Sequence, residues 1–378
     1  MGLLSLPPEM PLSHFPHKET LTTSCSSQFW KHDAEGVETL VNLSETCKAL
    51  STFTLPHRYH RIELKNDILH TKEFIAHIRA RGHNALEHVR SLSLAYTKAM
   101  DDCYNQLPDG QKHRFYFFSM VLPLVPKIQL LHIKLSSRRK IKVSRQTTLE
   151  SLRYLHIECS DNESQHITHS PQIHELLRQA PNIDTLVIQV DKLCTPPVFT
   201  GLGNVKCLKL VNTLLSPRFL TRILDACPQL ESFILSYSVR ESFRSKFDHA
   251  TTPKTLPQVL SVRQETLRYL EIHWMPGPID DSGIEIVGSL KGLTNLETLI
   301  LVGSGFRFGK SEDKKTVETC LVDLLPPSIR IVSIDSDYMS IIHEPIIALG
   351  EAVKQGSFPM LKEVRCYNWL GVGGFLGK

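Results

Sequence analysis

The chain has 378 residues, of which 41% are apolar and 22% charged, and its formal charge is +4. That is the make-up of a folded chain long enough for one extended core plus a small accessory unit, and the mild positive balance does not point to nucleic acid. No run approaches 18 consecutive apolar residues, so no membrane-spanning helix is expected.

The opening GLLSL is short and has no basic start, so it does not read as a secretory signal. An intracellular protein, cytoplasmic or nuclear, with its nine cysteines as reduced thiols is therefore expected. No pair of cysteines has C-x-x-C spacing, and the 18 histidines are scattered, so neither a metal nor a cofactor is expected.

In chain order, the first informative fragment is Leu6-Pro7-Pro8-Glu9-Met10. A polar stretch over 11–39 follows, rich in Ser, Thr and His, whose apolar residues keep no helical period; it reads as disordered. From Leu40 the character changes. Leu40, Leu43, Cys47 and Leu50 give a helix-like run, then Leu55-Pro56-His57-Arg58-Tyr59 leads into a strand-like Arg61-Ile62-Glu63-Leu64.

Beyond that point one phrase returns ten times: an apolar residue, two others, a second apolar residue, one other, a third. The copies are Val89/Leu92/Leu94, Ile128/Leu131/Ile133, Leu152/Leu155/Ile157, Ile183/Leu186/Ile188 and Val205/Leu208/Leu210. They continue as Leu230/Phe233/Leu235, Leu267/Leu270/Ile272, Leu296/Leu299/Leu301, Ile329/Val332/Ile334 and Leu361/Val364/Cys366. The intervals run from roughly 22 to 39 residues, the signature of a stacked repeat. Proline stands two residues before the first beat at Pro126, Pro181, Pro228, Pro327 and Pro359, where it ends a helix and starts an extended segment.

Each copy is predicted to form a short strand with both later beats facing inward. Helices fill the gaps, such as one from Ser170-Pro171 to Ala180 and one over 217–227, where Phe219, Leu220, Ile223 and Leu224 make the inward stripe. One such unit cannot bury its apolar face alone, so neighbours must stack into a continuous core. Loops are expected at 101–114, 138–148, 239–256 and 308–316; the basic cluster at Arg138, Arg139, Lys140, Lys142 and Arg145 falls in the second of these as a solvated loop.

These residues carry a resemblance. Leu-x-x-Leu-Ser-x-x-Cys-Lys-x-Leu from Leu40, then Leu-Pro-x-x-Tyr-x-x-Ile-x-Leu from Leu55, with Leu6-Pro7 as an opening, resembles an F-box interrupted at 11–39. With the repeats that follow, the chain resembles the F-box/leucine-rich-repeat proteins common in fungi. The resemblance implies an α/β chain: a small helical F-box-like segment over 1–64, then an irregular leucine-rich-repeat solenoid over 65–378, a horseshoe of about ten repeats with a parallel sheet on its concave face. It implies a non-catalytic, protein-binding subunit that recognises substrates for an SCF-type ubiquitin ligase. The segment would dock on a Skp-type adaptor, and through it a cullin, by Leu6, Pro7, Leu40, Leu43 and Cys47. The usual asparagine or cysteine three residues after the last beat is mostly missing, and repeat length is uneven.

The substrate face is expected at strand positions pointing away from the core: His132, Lys134, His156, Glu158, Lys209, Glu271, His273, Ser333, Asp335, Arg365 and Tyr367, with Tyr154, Tyr269 and Trp274 as amphipathic anchors for a protein partner. Two other readings stand beside this one. In the first, the chain is a stand-alone repeat scaffold whose F-box remnant only caps the first repeat. In the second, Gly303–Ser311 is a phosphate loop around Lys310 in a nucleotide-dependent enzyme. Such a loop needs glycine five residues before its Gly-Lys-Ser, where this chain has Ser304.

Overall fold

The computed structural model describes residues 59–64, 83–96, 121–135, 148–159, 171–190, 201–213, 215–238, 251–275, 287–303, 314–335 and 339–367, with Thr39, Asn42, Leu43, Thr46, Cys47, Leu50, Thr54 and His57. The chain divides into two compact units, residues 1–58 and residues 59–378. The stretch 11–38 and most of the expected loops fall outside the described residues. Two of the loops end inside helices, because Leu256 and Lys314 each begin one.

The second unit is built on eleven strands: β1 (Arg61–Leu64), β2 (Ser91–Tyr96), β3 (Leu130–Leu135), β4 (Tyr154–Cys159), β5 (Thr185–Val190), β6 (Cys207–Val211), β7 (Ser232–Ser238), β8 (Tyr269–Met275), β9 (Thr298–Val302), β10 (Ile331–Asp335) and β11 (Glu363–Tyr367). They form one sheet in chain order, every pairing parallel. Among the described residues five α-helices lie between strands: α1 (Pro171–Gln179), α2 (Pro217–Asp225), α3 (Leu256–Leu260), α4 (Lys314–Leu324) and α5 (Met339–Lys354). Short 3-10 turns precede β2 and β3. The strand Arg61–Leu64, at the end of the F-box-like stretch, pairs with β2 and belongs to the sheet.

The register aligns the repeated phrase from strand to strand. Leu92, Leu131, Leu155, Leu186, Leu208, Phe233, Leu270, Leu299, Val332 and Val364 are successive partners, and the third beats form a second row two residues on. Side chains alternate across a strand, so both rows point to one face. Up to Ile334 every member is buried. First beats sit just before the strands and are buried too, from Val89 to Ile329. A single contiguous core results.

Two backbone devices repeat with the phrase. In nine copies the first-beat N–H donates to the carbonyl three residues earlier, at 3.0 to 3.4 Å; Leu267 instead donates to Arg263 O. The five prolines occupy the second position of these turns, where a φ near −65° is already set. The next two N–H groups then donate to one carbonyl of the preceding repeat, at 2.8 to 3.2 Å, in a column of acceptors from His60 to Arg330. Both lone pairs of each carbonyl are used, so the turn locks to its neighbour before the strand begins.

The helices cover the core face. Ser216 caps α2 by accepting from Phe219 N, with Pro217 in the first turn, and Leu220, Ile223 and Leu224 are buried while Phe219 is half-buried. α1 ends at Gln179, and Ile173, Leu176, Leu177 and Ala180 are buried.

Candidate functional site: the non-core face of the sheet

The strand positions between the beats all point away from the core, and the parallel register sets them in rows. One row runs Glu63, Ser93, His132, His156, Val187, Lys209, Ile234, Glu271, Ile300, Ser333, Arg365. His132, Lys134, Tyr154, His156, Glu158, Lys209, Tyr269, Glu271, His273, Ser333, Asp335, Arg365 and Tyr367 all occupy non-core positions. Trp274 does not. It lies two residues after Ile272, shares that residue's parity, is 6% exposed and belongs to the core. Its ring packs on Tyr237 with centroids 4.8 Å apart. Nor is the face a set of freely exposed side chains: His156, Glu271, His273 and Ser333 are buried.

Two clusters form on this face. In the first, register places His132 beside His156 and Lys134 beside Glu158. The two imidazoles stack, with centroids 4.4 Å apart and planes 15° from parallel. His132 Nδ1 is 3.2 Å from Ser93 Oγ, and its Nε2 is 3.3 Å from Glu158 Oε2. Lys134 donates to the other oxygen of Glu158. Burial would raise the Glu158 carboxyl, but hydrogen bonds from His132 and Lys134 and the charge of Lys134 outweigh it and hold the group down at about 2. Burial, with His132 alongside, pushes His156 down to about 3. His156 is therefore a neutral ring at physiological pH.

The second cluster lies on alternate residues of β8. Glu271 accepts from the Tyr269 hydroxyl on one oxygen and meets His273 Nε2 on the other. Burial opposes its charge, yet the bond to His273 and that ring's field, with help from Tyr269 and Lys209, hold Glu271 below the usual carboxylate range. Burial first, and then the Glu271 charge, push the Tyr269 hydroxyl up. Lys209 stands between the two clusters in the register, with Val187 and Ile234 on its neighbouring strands. Towards the far end of the sheet, Arg365 donates twice to Glu363, at 2.7 and 2.8 Å, and Ser333 and Asp335 precede it on β10.

The buried Cys227 and the half-buried Cys207, Cys320 and Cys366 are not prepared nucleophiles. Burial raises the thiols of Cys207 and Cys366, and burial raises those of Cys227 and Cys320 to about 12. Among the described residues no group of three His, Cys, Asp or Glu side chains is placed to hold a metal ion, and no helix is long and apolar enough to cross a membrane. Lys310 lies outside the described residues. Gly303, at the head of the glycine-rich stretch, is left-handed (φ 128°) and donates its N–H to Asp335 O at 2.8 Å.

Of the expected adaptor contacts, Leu6, Pro7 and Leu40 lie outside the described residues. Within residues 1–58, Leu43 is helical and 41% exposed, Cys47 is exposed, and Leu50 is exposed as well. Thr46 Oγ1 donates to Leu43 O at 2.7 Å and Leu50 N to Cys47 Sγ at 3.4 Å. Leu50, at helical spacing from both, is a further candidate for that surface.

Sequence reasoning passes over Ser93, Val187, Ile234 and Ile300, which share the central row. The same rule of the residue between the last two beats finds all four. No protein-family model matches the chain, and no curated protein matches it.

Proposed function

We propose that the chain is a non-catalytic protein-binding module of the F-box/leucine-rich-repeat type, the substrate-recognition subunit of a cullin-based ubiquitin ligase. The F-box-like segment docks on a Skp-type adaptor through Leu6, Pro7, Leu40, Leu43 and Cys47. The non-core face of the sheet receives the protein to be modified, and catalysis is left to the rest of the ligase. The chain then works by raising the effective concentration of one partner beside the other. It needs no cofactor and acts inside the cell.

The observation that carries this reading is the unbroken register. Eleven parallel strands in chain order give rows of side chains with no part in the core, long enough to meet a macromolecular partner. The chemistry of those rows also favours binding: imidazole, carboxylate, phenol and ammonium groups alternate with apolar Val187, Ile234 and Ile300. Charged groups already held by neighbours, such as Glu158 and Glu271, lose little freedom on docking.

Co-purification tests the adaptor half. The full chain is expected to form a stoichiometric complex with a recombinant Skp-type adaptor, and a Leu43→Asp/Cys47→Asp variant to lose it at an unchanged melting temperature. A full chain that never binds leaves the stand-alone scaffold as the better reading. A clear thermal stabilisation by magnesium and ATP instead revives the nucleotide enzyme around Lys310.

A further inference from the structure

Among the described residues, the beat rows lose their full burial only at the last strand. Leu361, Val364 and Cys366 are half-buried, whereas every earlier member of the three beat rows, from Val89 onward, is buried. Met360, in the turn before β11, is 41% exposed. No described residue pairs with the outer edge of β11.

The direction of the free backbone groups follows from the ladder. Residues on non-core positions turn their N–H toward the preceding strand, as Glu363 N does to Arg330 O. Core-row residues turn theirs toward the following strand, as Asn212 N does to Ser236 O and Gly303 N to Asp335 O. On β11, Val364 and Cys366 therefore present N–H and C=O to the open edge, a template for another strand.

We propose that this edge pairs with β11 of a second copy of the chain, antiparallel, about a two-fold axis at Val364. Charge selects that occupant. With Val364 opposite its own copy, Glu363 falls opposite Arg365 of the other chain, and Arg365 opposite the other Glu363. Val364 exchanges both backbone bonds with its counterpart, so the Glu363–Arg365 pairs are the non-hydrogen-bonded ones, whose side chains lie closest. On the core face, Val364 meets Val364 and continues the apolar row across the axis. An isologous contact of this kind is closed at two copies. It is also small, so the dimer is weak and concentration-dependent.

The test is a charge swap on the full chain, read by sedimentation velocity over a concentration series. The unmodified chain is expected to pass from monomer to dimer. Glu363→Arg sets arginine against Arg365, and Arg365→Glu sets glutamate against Glu363, so each single variant dimerises at least tenfold more weakly. Mixing the two single variants restores opposite charges at both pairs, and a heterodimer returns; so does a homodimer of Glu363→Arg/Arg365→Glu. Both side chains are more than 40% exposed, so losing the surface pair they form within the strand should move melting temperatures only slightly. A chain that stays monomeric throughout the series overturns the proposal, because the edge then serves another strand or none. So does a dimer that survives in both single variants, because it uses another surface.

Discussion

His156 is a buried imidazole stacked on His132, with Glu158 and Lys209 as its charged neighbours, and it remains neutral in the fold down to about 3. Unfolded, the ring takes a proton near its ordinary value of 6.5. Below that pH the unfolded state holds a proton that the folded state does not, so acid favours unfolding. The stability His156 contributes is complete above 6.5 and drains as pH falls toward about 3. Glu158 acts in the same direction for the opposite reason: its folded carboxylate holds on to about 2, so its contribution is lost between about 4.5 and 2. Acid lability should therefore begin near 6.5 and steepen below 4.5. Denaturant titrations at pH 8 and pH 5 should differ by about 2 kcal/mol more in the unmodified chain than in His156→Phe, which keeps the stacking and removes the titration. An equal difference in both would mean that His156 is solvated and its burial inconsequential.

At the level of the element, Gly303 separates a positional requirement from a loose glycine-rich loop. A Cβ there would lie 2.1 Å from Trp274 O, and φ is 128°. Gly203 and Gly292 have nothing within 4 Å of theirs. Gly303→Ala should cost on the order of 3 kcal/mol, against under about 1 kcal/mol for Gly292→Ala, as measured by denaturant midpoints. From sequence this glycine reads as part of a connection or a phosphate loop, because nothing local reveals that the preceding strand's backbone approaches so closely. The beats are legible for the converse reason: a strand facing one core must place apolar residues two apart, and a parallel stack must do so at the same phase each time. The prolines are legible as punctuation but not as turn residues. The residue before each of them is a further buried position, and it varies from Val125 to Ala180, Cys227, Pro326 and Phe358, so no type recurs. Trp274 is misplaced when positions just after the last beat are treated as one set, because parity sends His273 outward and Trp274 inward. The pairing of His132 with Ser93 and Glu158 depends on register across three strands, which no single stretch of sequence contains.

For the molecule as a whole, the consequence of a sheet paired strictly in chain order is that stability is local. Each strand takes its hydrogen bonds and most of its packing from the strand before and the strand after, so energy should add as neighbour terms along the stack. Phe233 on β7 is fully buried between Leu208 and Leu270, whereas Val364 on β11 is half-buried with Val332 on one side only. Phe233→Ala should cost about 3–5 kcal/mol, the range for a buried phenylalanine with little room to collapse, and Val364→Ala under about 1 kcal/mol. Native-state hydrogen exchange distinguishes locality from a single cooperative fold. In Phe233→Ala the amides of β6, β7 and β8 should lose protection first, while β2–β4 and β10 keep theirs; in Val364→Ala only β11 should loosen. Uniform loss across all eleven strands in Phe233→Ala would show that the core column couples the stack as one unit. A local response has a functional corollary: the two clusters on the non-core face sit on different neighbour sets, β2–β4 and β6–β8, so a partner that orders one need not disturb the other.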